Sequence, residues 1–137
     1  MAKAADRTAV SNPVGVAAPL RPYYSNAVSV SPGPLLFISG QVAWDEDGAV
    51  VGVGDPAAQA RQVFANLATV LQAHGAGLQD VVKVTVYVTS LDWFDQLAAI
   101  RRELFTVSPP ASAIVQVVAL VQPELLIEVE AVAAIPG

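Results

Sequence analysis

The segment Ile127-Glu128-Val129-Glu130-Ala131 alternates apolar and acidic residues, and this alternation constrains the fold more than any other stretch. A strand repeats every two residues, so one face of the segment must be buried while the other stays polar. That pattern belongs to a sheet covered on one side only. The last strand is predicted over 125–134 and a partner over 112–120, joined by a turn at Val121 to Glu124. In the partner, Val115, Val117 and Ala119 point one way and Ser112, Ile114 and Gln116 the other. Paired so, the two strands offer helices a wholly apolar face and gather Glu128, Glu130, Gln116 and Ser112 on the opposite one. Val81 to Val88 alternates likewise, with Val82, Val84, Val86 and Val88 opposite Lys83, Thr85 and Tyr87.

Two helices complete the pattern. Asp55-Pro56 supplies a capping oxygen and a proline for the first turn, and Ala60, Val63, Phe64, Leu67, Val70 and Leu71 then recur at helical spacing until Gly75. This predicts a helix over 56–74. Ser90 is read as the cap of a second helix, 91–106, whose apolar stripe is Phe94, Leu97, Leu104 and Phe105, and Pro109-Pro110 ends it. Upstream, strands around 27–31 and 35–42 flank Ser31-Pro32-Gly33-Pro34 and read as a hairpin. Residues 1–20 lack a sustained period and are expected to form a loosely ordered arm, leaving 21–137 as a single domain. The order is β-β-α-β-α-β-β: an α+β fold with a mixed sheet and both helices on one face.

Composition narrows the function classes. Of 137 residues, 54% are hydrophobic and 14% charged, against roughly a quarter charged in an ordinary domain. So little charge cannot cover a monomer's surface, and no apolar run reaches the roughly 18 residues of a membrane span, so a homo-oligomer is expected. A net charge of −5 with seven scattered Lys and Arg argues against a nucleic-acid partner. No cysteine and a single histidine, His74, leave no material for a metal site, and no cofactor is expected. Gly52-Val53-Gly54-Asp55-Pro56-Ala57 fits a dinucleotide fingerprint formally, but no train of βαβ units surrounds it. Met1 to Leu20 carries no secretory apolar core, so cytoplasmic residence is expected.

Several stretches together resemble the RidA/YjgF (reactive-intermediate deaminase) family: Pro22-Tyr23-Tyr24-Ser25-Asn26, Phe37-Ile38-Ser39-Gly40-Gln41, Ala58-Gln59-Ala60-Arg61-Gln62 with Asn66-Leu67, Asp80 through Val88, and Ile127 through Ala131. The resemblance implies a chorismate-mutase-like fold that assembles as a trimer with sites at the subunit clefts. It further implies a site tyrosine at Tyr24, a serine at Ser39 and a catalytic glutamate at Glu128. The family's carboxylate-binding arginine falls on Ser112 and its helix asparagine on Ala98. A serine hydroxyl cannot replace a bidentate guanidinium, so 2-iminoacids are not the expected substrates.

Ser112, Ile114 and Trp44 are read as further walls of a pocket suited to a neutral or larger ligand, with Arg21 the one arginine near enough in sequence to refill the vacancy. Glu128, without a cation beside it, is expected to favour its protonated form and do acid/base work. Glu130 is read as a structural partner on the same face, His74 as a surface residue at a helix end, and Arg101-Arg102 as the wet face of the second helix. The leading expectation is a trimeric enzyme acting on a small imine, enamine or related carbonyl compound. The rival is a trimeric small-molecule binder without chemistry. RNA cleavage, sometimes attached to the family by name, fits neither the charge nor the residues present.

Overall fold

The computed structural model describes residues 4–137. Along the chain run β1 (Thr8–Ser11), β2 (Ala27–Val30), β3 (Leu35–Val42), α1 (Pro56–Gln72), β4 (Val81–Val88), α2 (Phe94–Leu104), β5 (Ala111–Gln116) and β6 (Ile127–Ala134), with short 3-10 turns at Ala4–Arg7 and Leu78–Asp80. The start of α1 is built as the sequence predicts: Asp55 Oδ1 accepts the Ala58 backbone N–H at 3.1 Å, and Pro56 needs no donor in the first turn. Gly75 adopts φ +71° just past the helix, the left-handed conformation that stops it. Helix α2 is shorter than expected. Ser90 Oγ accepts from Asp92 N at 3.0 Å in a local turn, so the helix begins only at Phe94.

Strands β3, β6, β4 and β5 form one mixed sheet in that order, with β6 antiparallel to both neighbours and β5 parallel to β4. The alternation that opened the sequence reading is obeyed in β6, where Ile127 and Val129 are fully buried. They pack with Val84 and Val86 of β4 beneath Val63, Phe64, Leu67 and Leu71 of α1 and Leu97 of α2. Each such side chain contributes about 1.5–3 kcal/mol on burial, enough in sum to fix which face of every strand turns inward. The opposite face of the sheet is open: Phe37 is 75% exposed, and the Tyr87 hydroxyl donates to Glu130 Oε1 at 3.1 Å. Among the described residues no helix is long and apolar enough to cross a membrane.

Three local expectations are corrected. First, β2 makes no hairpin with β3; it pairs antiparallel with β1, a strand inside the stretch expected to be loosely ordered. This ribbon sets Val28 and Val30 against Val82 and Val132. Second, β5 does not pair with β6. The chain leaves β4, crosses through α2 and returns parallel to β4, as a helical crossover requires. Segment 117–126 then carries the chain across to the middle of the sheet. Third, this pairing reverses the side-chain parity assigned to β5. Ser112 lies beside Val84 and Ile114 beside Val86, so both face the helices, while Val115 lies beside Tyr87 on the open face and is 42% exposed.

Candidate functional site

Tyr24, Ser112 and Ile114 come together in one cavity of about 350 Å³ between the N-terminal arm, α2 and the edge strand β5. The arm is fastened there by Ser25, whose backbone N–H donates to Pro110 O at 2.9 Å and whose hydroxyl donates to Pro109 O at 2.7 Å. Tyr24 therefore lies beside β5, its ring edge-on to Tyr23 at 6.1 Å and its hydroxyl accepting from Leu20 N at 2.9 Å. Arg21 stands at the same cavity with its guanidinium over the Phe94 ring at 5.4 Å.

The same cavity holds a residue assigned elsewhere by the sequence reading. Arg101, expected on the wet face of α2, is only 2% exposed. Its Nη2 donates to Ser112 Oγ at 2.8 Å, and its guanidinium stacks on Tyr23 at 4.4 Å and reaches Phe105 at 6.0 Å. Burial lowers its pKa to about 10, so it stays charged at neutral pH. The premise that the Ser112 position lacks a guanidinium is thus overturned: the hydroxyl is the point to which one from another element is tied. Arg21 does not fill that place. The sequence carried a signal for Arg101, since Leu97, Arg101 and Phe105 are spaced by four and lie on one helix face.

The remaining predicted residues lie elsewhere in the protomer. Ser39 is exposed on the open face of the sheet, lining a cavity of about 300 Å³ with Phe37, Lys83, Thr85 and Glu130. Glu128, half-buried, extends across Gly40 so closely that a Cβ there would collide with its carboxylate, which explains the glycine of Ser39-Gly40-Gln41. Trp44 stands where β3 gives way to the loop before α1, its indole N–H donating to Gln122 Oε1 at 2.6 Å and its carbonyl accepting from Asn66. It is not part of the Tyr24 cavity. Strands β3 and β5 are the two edges of the sheet, so Ser39 and Ser112 are separated by three strand spacings, about 14 Å, and face opposite sides.

Gln59, which the sequence offers only as one residue of the Ala58-Gln59-Ala60-Arg61-Gln62 motif, organises this region. Fully buried, it donates to Gly52 O and Glu124 O at 3.1 and 2.8 Å and accepts from Leu126 N at 2.9 Å, fixing the connection that leads into Glu128.

A family model described as Endoribonuclease L-PSP matches residues 16–135. The chain belongs to that family. This agrees with the RidA/YjgF resemblance. A RutC family protein from Pyrococcus horikoshii is 37% identical over 115 residues, 84% of this chain and 88% of the relative. Protein DfrA of Myxococcus xanthus is 41% identical over 97 residues, 71% and 74% of the two chains. Among solved structures, a Rid-family protein of unknown function from Yersinia pestis, YyfB, superposes with a TM-score of 0.88 at 38% identity, covering 94% of this chain and 99% of that one. RidA from a Psychrobacter species superposes at 0.69 with 34% identity, covering 92% and 94%.

Proposed function

We propose that the chain works in the cytoplasm as a homotrimeric enzyme that hydrolyses a small imine or enamine in a pocket shared by two copies. Tyr24, Ser112 and Ile114 of one copy bind the ligand, and Ser39 and Glu128 of the next close over it. Glu128 takes a proton from water as the oxygen adds to the imine carbon and passes it to the nitrogen. It then takes the proton of the new hydroxyl and delivers it to the same nitrogen, which leaves as ammonia or amine as the C–N bond breaks and the carbonyl forms. An enamine first gains a proton at carbon to become the imine. No cofactor enters this scheme.

The observation that carries the reading is the division of the residues between opposite edges and opposite faces of one sheet. They make a single site only if the β5 edge of one copy meets the open β3–β6 face of another. The edge strand β5, with unpaired backbone groups and an exposed Val115, suits such a contact. The family description names an endoribonuclease, but the one histidine is exposed at the end of α1, and the few cations are scattered, so RNA is a poor fit.

Subunit mixing tests this reading. Ser112→Trp fills the cavity and Glu128→Gln removes the base, so each variant alone should be inactive on imines generated in solution. Co-refolded at equal amounts, roughly a quarter of the sites pair two intact halves and activity returns in that proportion. Mixtures no more active than their parts would rule out a shared site. A wild-type protein that binds ligand, seen as a thermal shift, but turns over no imine or enamine would favour the non-catalytic alternative.

A further inference from the structure

Two arginines in this chain are buried, and they are buried differently. Arg7 is 7% exposed and donates to three carbonyl oxygens, Ser31 O at 3.0 Å, Pro34 O at 2.7 Å and Ile135 O at 3.0 Å. It ties the link between β2 and β3 to the end of β6, and its role is structural. Arg101 is buried more deeply but has one acceptor, the Ser112 hydroxyl. A guanidinium carries five N–H donors. Nε is buried without a partner in both arginines, so the contrast lies in the terminal nitrogens, which meet three carbonyls in Arg7 and a single hydroxyl in Arg101. Among the described residues the sole ion pair is Arg61 with Glu103, on the surface.

An uncompensated buried cation is strongly unfavourable, and stacking on Tyr23 offsets only part of that penalty. Unlike Arg7, Arg101 borders an open cavity, and Arg21 brings a second positive charge to the same space. A protein of net charge −5 therefore directs two of its seven Lys and Arg at one cavity of about 350 Å³. Leu20, Tyr24, Phe94 and Ile114 make the rest of its wall apolar or aromatic. Because Ser112 Oγ accepts from Arg101, its own proton is left free to donate to another group.

We infer that Arg101, positioned by Ser112 and assisted by Arg21, is the anion receptor of this cavity, and that its ligand is a small carboxylate with an apolar or aromatic body. The carboxylate oxygens take the open donors of the guanidinium and the Ser112 proton, while the body lies between Tyr24, Phe94 and Ile114. The inference rests on the cavity being the ligand site, as proposed above, but not on catalysis. It replaces the neutral ligand expected from the sequence and makes α2, not β5, the source of the charge.

Binding measurements separate this from turnover. Titrated into the intact protein, benzoate should bind and benzamide, its neutral counterpart, should bind about tenfold or more weakly. In protein carrying nitrogen-labelled arginine, benzoate but not benzamide should shift the Arg101 Nε–H resonance. Arg101→Met should lose the preference for benzoate, Arg101→Lys should keep part of it, and Arg21→Ala should weaken it only a few-fold. Equal binding of the two probes, or an unmoved Arg101 signal at saturating benzoate, overturns the inference, and the second measurement needs no variant to fold. Benzoate binding through Arg101 without imine turnover would leave this receptor standing and remove only the enzymatic reading.

Discussion

Replacing Gln59 with leucine keeps the buried volume but deletes all three hydrogen bonds of the amide. Gly52 O retains a second donor in Asp55 N, whereas the Leu126 N–H and Glu124 O lose their side-chain partner inside the fold. At about 1 kcal/mol for each lost bond, with up to about 2 more for the stranded groups, Gln59→Leu should destabilise the protein by about 3–5 kcal/mol. Unfolding entropy near 2.1 cal/mol/K per residue, over 137 residues, converts 3 kcal/mol to a fall in Tm of about 10 °C. Thermal unfolding, followed by circular dichroism at matched protein concentrations so that self-association does not shift the midpoint, measures this directly. A fall below about 3 °C would mean the amide does not hold the 117–126 connection, and the account of how Glu128 is aimed would fail with it.

Gly40→Ala forces the Glu128 carboxylate away from its present course, so imine hydrolysis should fall by about tenfold to a hundredfold while the far-ultraviolet spectrum is unchanged. Phe37→Asp replaces a 75% exposed aromatic ring on the open face of the sheet with a charge and should shift sedimentation toward the monomer. Tyr87 should ionise above its ordinary value of 10.0, first because its hydroxyl donates to Glu130 and also through desolvation and the nearby acids. A raised folded pKa means that the contact stabilises below the ordinary value and is lost as pH rises through the folded one. Absorbance titration of Glu130→Gln should bring the Tyr87 transition down.

Helix α1, β4 and β6 were legible because each carries a full periodic pattern with its own start or stop signal, and Glu128 was found on the open face that its alternation demanded. Ser112 and Ile114 line one cavity with Tyr24, but on the side of the sheet opposite to the one their alternation suggested. The error is physical: alternation says that a strand has two faces, not which neighbour sets them, and β5 takes its parity from β4 through a crossover. The β2 pairing failed similarly, since a strand as short as Thr8–Ser11 has no pattern of its own. Arg101 was missed because a doubled arginine reads as solvent-facing. Its spacing from Leu97 and Phe105 outweighed its charge, and Tyr23 and Ser112, far apart in sequence, supply the surroundings that permit it.

Strand β6, the last in sequence, lies between β3 and β4. During synthesis, both strands emerge from the ribosome with their inner edges bare, and although β5 can already pair with the outer edge of β4, those inner edges must wait for residues 127–134. Until then the nascent chain holds two helices beside a split sheet, with adhesive edges that a neighbouring nascent copy is able to join. Assembly on polysomes, where copies emerge side by side, is consequently a hazard for this topology as well as an opportunity.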